Sequence, residues 1–229
     1  MERTTLADIA FRADIPPLLN ALHLDAEGED ADAVRELARQ AEAIARPKAV
    51  YRVAWIDSKG DDDVVVDGVR LSSRVMRVNL ESVQRVFAYV ATAGVELEEW
   101  ADAKSDILER YWADGIMMLA VRCASAYLAT HLQARYQPGP LSRMNPGSLE
   151  DWPLRQQGPL FDLIGEVRES IGVTLTESFL MTPRKSVSGI QFPTAESFES
   201  CQLCERERCP NRRAPYDVVL LARRYRQTT

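Results

Sequence analysis

The sequence predicts an α+β fold, with helices packed on a twisted, mainly antiparallel sheet. Two stretches, 32–45 and 105–135, repeat apolar residues at helical spacing. Three others, 49–56, 64–71 and 85–92, are rich in β-forming residues, and the middle one contains the turn pair Asp67-Gly68. Strand and helix do not alternate in the βαβ manner of a parallel sheet, which leaves the mixed class.

Taken in order, residues 6–12 suit a short edge strand that Pro16-Pro17 end. In 32–45 the apolar positions are Val34, Leu37, Ala38, Ala41 and Ile44. Asp30 or Asp32 offers a cap, and Arg46-Pro47 stops the helix. Residues 49–56 form a strand and 64–71 a hairpin. Asp61, Asp62 and Asp63 are consecutive rather than at the alternate positions of a calcium loop, and read as a turn. Residues 85–92 form a further strand ending at Gly94, and 96–104 a helix whose acidic first turn suits its dipole.

The helix over 105–135 takes Ser105 as its cap. Its expected buried face collects Ile107, Leu108, Tyr111, Met118, Val121, Ala124, Ala126, Leu128 and Leu132. Cys123 reads as a small core residue and His131 as a helix-end surface residue. Gln137-Pro138-Gly139-Pro140 break this helix. A short helix over 159–170 follows, with Gly172 where a C-cap falls. Residues 173–182 and 186–192 read as paired strands around a turn containing Pro183, and beyond Pro193 the chain is loop-like until a short apolar run at 218–221. One domain over 1–229 is expected, with a scaffold part at 1–94, a helical and ligand-site part at 95–192 and a cysteine-containing segment at 193–229.

A net charge of -6 and pI ≈ 5.1 argue against a nucleic-acid partner, which needs a clustered basic surface. The basic run from Arg206 to Arg213 and the tail Arg223, Arg224 and Arg226 read as a solvated face. No run approaches the ~20 apolar residues that span a bilayer, and Glu2 and Asp8 stand where a secretory signal is cationic. The expectation is therefore cytoplasmic, with no membrane partner. In that compartment the crowding of Cys201, Cys204 and Cys209 suggests metal or redox chemistry rather than structural disulfides.

The stretch 143–189 is the richest in chemistry. Arg143 precedes the bend Pro146-Gly147, where a guanidinium beside backbone amides suits a carboxylate-bearing ligand. Glu177 and Ser178 offer acceptors for an ammonium or ribose hydroxyls. Ser186-Val187-Ser188-Gly189 keeps one sheet face flat enough for a planar group. A tight turn plus an ordinary hairpin explains the same spacing equally well.

These residues resemble the S-adenosylmethionine-binding reactivation domain of cobalamin-dependent methionine synthase. There an Arg-x-x-Pro-Gly-Tyr segment, here Arg143, Pro146 and Gly147, precedes a helix. A Leu-Thr-Glu-Ser-Phe-x-Met-x-Pro-x-x-Ser-Val-Ser-Gly segment follows, here Leu175–Phe179, Met181, Pro183 and Ser186–Gly189. The chain is most similar to free-standing bacterial forms, which share the Asp151-Trp152-Pro153-Leu154 run. Two aromatics of the family are absent: Ser148 or Leu149 replaces the tyrosine after Pro-Gly, and Ile190-Gln191 follows Ser-Val-Ser-Gly.

The resemblance implies methyltransferase-type chemistry, the reactivation of a corrinoid enzyme. S-adenosylmethionine would be presented for reductive methylation of Co(II) cobalamin held by a separate methionine synthase core or other corrinoid protein. Arg143, Pro146, Gly147, Glu177, Ser178, Ser186, Ser188 and Gly189 would hold the ligand, and no general acid or base is demanded because the sulfonium is already a good leaving group. Cys201, Cys204 and Cys209 would bind an iron–sulfur cluster or zinc, a fourth ligand coming from Cys123 or a carboxylate. Reduced cysteines in a loop are the alternative. Rival readings of the whole are an iron–sulfur electron donor and a non-catalytic corrinoid-protein binding module.

Overall fold

The computed structural model describes residues 3–194, 198–209 and 212–225. Arg226 of the basic tail and Pro210 after the last cysteine lie outside the described residues. In chain order the elements are β1 Arg3–Leu6, α1 Ile15–Ala21, α2 Glu29–Ile44, β2 Lys48–Lys59, β3 Asp63–Val66 and β4 Val69–Ser72. Next come α3 Arg74–Asn79, β5 Arg85–Thr92, α4 Val95–Asp102, α5 Ile107–Tyr136 and β6 Leu141–Met144. The remainder is α6 Gln157–Ile164, α7 Val167–Ile171, β7 Thr174–Leu175, β8 Met181–Thr182, β9 Ser186–Pro193, a 3₁₀ turn Ser200–Leu203 and α8 Val218–Leu220.

The main sheet runs β4-β3-β2-β5-β9-β6, with β1 pairing the first half of β2, and every pairing is antiparallel. This is the expected α+β class. Both faces are covered, and β5 shows why. Val86, Ala88 and Val90 point to one core, shared with α3, α6 and α7. Phe87, Tyr89 and Ala91 point to the other, where Ala124, Leu128 and Leu132 of α5 pack. A strand buried on both sides reads as a continuous apolar run, as this one does. Beyond α5, helices α1, α2 and α4 build a third cluster around Trp112, Ile116 and Met117.

Several elements depart from expectation for local reasons. The edge strand is β1, at 3–6 rather than 6–12, because its register with β2 starts at Arg3↔Arg52. Gly28, not an aspartate, occupies the cap of α2, and Asp106 rather than Ser105 caps α5 by accepting from the Leu108 and Glu109 amides. Ile107, Leu108 and Tyr111 are exposed, so the buried stripe of α5 begins at Trp112. The 159–170 helix is two helices, broken where Gly165 and Glu166 take positive φ. Gly172 does close α7, at φ 76°.

Residues 173–182 form their own small hairpin, β7 with β8, while β9 enters the main sheet between β5 and β6. Five consecutive residues, Ser188–Phe192, are buried, as in a strand covered on both faces. His131 is not a free surface residue, since its Nε2 lies 3.0 Å from the hydroxyl of buried Tyr51. Asp62 and Asp63 pair with Arg74 and Arg70. Asp67 and Gly68, both at positive φ, turn the β3–β4 hairpin as expected.

By length and composition alone, α5 is apolar enough to cross a membrane, with a stretch of mean hydropathy 1.3. That corrects the reading that no such run exists. Its buried stripe is the apolar character that packing against the sheet and α2 requires.

The N-terminal segment is tied to α2 by Glu42, whose carboxylate accepts from the Ala13 amide at 2.8 Å and pairs with Arg12. The amide bond, then the guanidinium, hold this carboxyl below its ordinary value. A depressed native pKa stabilises the fold above the unfolded value of about 4.3 and loses that contribution as pH falls through the native one. Wild type should therefore exceed Glu42→Gln in urea stability near neutrality, and the gap should close in acid below about pH 4. A gap that stays constant with pH would remove Glu42 from this role.

Candidate functional site

The site begins where the chain leaves β6 beside its neighbour β9. It passes close over Gly189, where a Cβ would lie 2.3 Å from the Met144 carbonyl oxygen and 2.7 Å from Asn145 Nδ2. The next residue, Asn145, donates to the Ser188 carbonyl at 2.7 Å and to the Tyr89 hydroxyl at 2.9 Å. Burial pushes the Tyr89 phenol up, partly offset by Asn145 and by the charges of Arg143 and Arg213. The chain then turns at Pro146-Gly147. Gly147 takes φ +81° and donates its amide to the Trp152 carbonyl at 2.7 Å, closing a compact loop.

Two residues of the Asp-Trp-Pro-Leu run anchor that loop. Asp151 accepts from the Arg74 and Val75 amides, each at 3.1 Å, and from the Ser73 hydroxyl, which itself caps α3. Trp152 is fully buried in the core beneath α6.

Facing the loop is the β7–β8 hairpin. Its tip is held by the Thr176 hydroxyl, which accepts from the Leu180 amide at 3.1 Å and lies 3.0 Å from the Ser178 hydroxyl. Buried Gln157, at the start of α6, joins this hairpin to β9. Its Nε2 donates to the Phe179 carbonyl and its Oε1 accepts from the Ser188 hydroxyl, both at 3.0 Å. Between loop, hairpin and β9 lies an open cleft of about 830 Å³, within the size range of small-molecule sites.

Pro146, Gly147, Ser186 and Ser188 line this cleft, as do Cys201, Cys204 and Cys209. The other four expected ligand residues do not. Gly189 follows Ser188 and makes room for Met144 and Asn145. Glu177 and Ser178 are exposed on the hairpin tip. Arg143 alternates along β6 with the buried Met144, so it lies on the opposite sheet face, and its charge, with that of Arg213, partly offsets the rise of the Tyr89 phenol.

The cleft's cations are Arg184, Arg206 and Arg213. Arg184 is neutralised by Glu98 at 3.1 Å and Asp102 at 2.9 Å, and its hydrogen bond to Asp102 raises its pKa. Arg213 pairs with Glu199 at 2.8 Å. Among the described residues no carboxylate pairs with Arg206.

The basic run is thus not simply a solvated face. Arg212 is half-buried and donates to the carbonyls of Cys201, Cys204 and Ala214, each at 3.1 Å, and to that of Arg206. The carbonyls of Cys201, Cys204, Arg206 and Ala214 converge on one guanidinium. Among the described residues no group of three His, Cys, Asp or Glu side chains is placed to hold a metal ion. The expected cluster or zinc centre at Cys201, Cys204 and Cys209 therefore finds no support in this geometry.

Sequence reasoning missed Asn145, Gln157, Arg206 and Arg213 as site residues. Gln157 had a signal, because it shares one face of α6 with buried Leu160 and Ile164, where an uncompensated amide is costly.

Comparison with known proteins bears on the same segments. Residues 147–210 match the family model described as vitamin B12 dependent methionine synthase, activation domain. Among solved structures, the crystal structure of the MetH reactivation domain bound to AdoHcy superposes with a TM-score of 0.60 at 17% identity, covering 87% of this chain and 81% of that one. No curated protein sequence matches. The chain has the fold of that reactivation domain, and the family match begins at the Pro-Gly bend and ends past the third cysteine.

Gly189→Ala tests this close approach of Met144 to β9. Forcing the Met144 carbonyl away should destabilise the protein by about 1–3 kcal/mol in urea unfolding. A loss under about 0.5 kcal/mol would show that β6 has slack over β9.

Proposed function

We propose that this protein is an accessory reactivation module for a cobalamin-dependent methionine synthase or related corrinoid methyltransferase, and that the cleft holds S-adenosylmethionine. The observation that carries the reading is the meeting of the Pro146-Gly147 bend with the hydroxyl-rich strand Ser186–Ser188 on one cleft. The match over 147–210 and the fold shared with a domain solved with AdoHcy support it.

In this reading the backbone at Gly147 and Ser148, its amides tied within the loop, forms the wall against which the amino-acid end of the ligand lies. Ser186, Ser188 and Thr176 offer hydroxyls, and Arg213 with Arg206 complements a carboxylate. Arg143 acts from behind, through the field around Tyr89. The bound sulfonium brings the methyl group, and the chain's own task is to hold it oriented toward the partner while excluding water. The corrin belongs to a separate protein that approaches the open side of the cleft.

A second reading, a non-catalytic module that keeps the fold and binds a corrinoid protein, is favoured by one observation. Among the described residues lining the cleft none carries an aromatic ring on which a purine would stack.

Calorimetric titration with S-adenosylhomocysteine separates the two. The first reading expects saturable binding that Arg213→Ala weakens about tenfold, or ~1.4 kcal/mol. It also expects loss of the Co(II) absorption when the chain, reductant and S-adenosylmethionine are mixed with a corrinoid protein. No heat with either ligand would leave only the second reading.

A further inference from the structure

We propose that Cys201 and Cys204 are a redox-active dithiol, a modification site on the cleft wall that reacts with low-molecular-weight disulfides to form an intramolecular disulfide. The argument starts from the 3₁₀ turn Ser200–Leu203. In such a helix side chains three apart eclipse one another, and three residues rise about 6 Å, inside the roughly 4.4–6.8 Å between Cα atoms that a disulfide spans. Cys201 lies within the turn, and Cys204 closes it by donating its amide to the Cys201 carbonyl at 3.3 Å. Both thiols are half-buried and both line the cleft, so they stack on the side a small solute can reach.

Two neighbours distinguish Cys201. The Arg213 amide donates to its sulfur at 3.4 Å, a contact that fixes the sulfur's position on the cleft wall. Ser200 beside it is 4% exposed, lines the same cleft, and its hydroxyl has no partner among the described residues. An orphaned hydroxyl on that wall is one that an entering solute can satisfy. Arg212 holds the carbonyls of Cys201 and Cys204 together on the turn's other side, which fixes the pair without using the sulfurs.

The chemistry balances as ordinary exchange. Cys201 loses its proton to solvent, and its thiolate attacks one sulfur of the small disulfide; that S–S bond breaks and one small thiolate leaves. Cys204, likewise deprotonated, attacks the Cys201 sulfur and releases the second. Both leaving thiolates take up protons from solvent, and two electrons pass from the protein pair to the small disulfide. Cys209 stands on the same cleft but outside the turn and takes no part.

The test is mass spectrometry of tryptic peptides after treating the native chain with oxidised glutathione and blocking the remaining thiols. No Lys or Arg lies between Ser186 and Glu205, so one peptide, ending at Arg206, carries both Cys201 and Cys204, while Cys209 falls in another. The proposal expects the first peptide to be lighter by two hydrogen atoms and unblocked, in wild type and in Cys209→Ser alike. Cys204→Ser should instead stop at a glutathione adduct on Cys201. A stable adduct on the wild-type pair, a bond from either cysteine to Cys209, or unchanged thiols would overturn it. This readout needs no ligand, so a chain that forms the bond yet ignores S-adenosylhomocysteine would refute the proposed function and leave the dithiol standing.

Discussion

The close passage of the chain over Gly189 of β9 as it leaves β6 is the constraint on which the site depends. The Met144 carbonyl and the Asn145 amide occupy the space that a side chain at position 189 would fill. Because the strands approach so closely, one asparagine reaches both the Ser188 backbone and the Tyr89 hydroxyl. The bend at Pro146-Gly147 is thereby delivered to the edge of β9, beside its serines. Without that approach the bend and the strand would still be good local structures, but they would not share a cleft.

The surrounding contacts make the junction rigid from three sides. Asp151 ties the loop after the bend to the start of α3, and Trp152 buries it under α6. Gln157 spans from α6 to the hairpin and to Ser188, so hairpin and strand are held by the two ends of one amide. Buried polar groups satisfied in this way specify geometry, since losing either partner strands the other. Asp151, Trp152 and Gly189 therefore place the cleft, while Leu154 and Ser186–Ser188 line it.

The fold was largely legible in the sequence, and the reasons are local. Helical spacing marked α2 and α5, the Asp67-Gly68 pair marked its hairpin, and an unbroken apolar run marked β5. The bend and Ser186–Ser188 were legible as site residues because small hydroxyls and a Pro-Gly turn are unusual together. What was not legible depended on long-range packing. Nothing near β9 says that its partner is β6 rather than the adjacent hairpin, and Arg213 reaches the cleft only because Arg212 folds its segment inward. The cysteine spacing was visible, but the guanidinium that gathers the carbonyls of Cys201, Cys204, Arg206 and Ala214 was not.

The most direct test of the junction is a two-dimensional amide NMR titration of the labelled protein with S-adenosylhomocysteine. If one cleft joins the two segments, the Gly147 and Ser148 amides should shift with the same saturation curve as those of Ser186, Val187 and Ser188. Shifts confined to one of these segments, or lying outside both, would contradict the shared cleft.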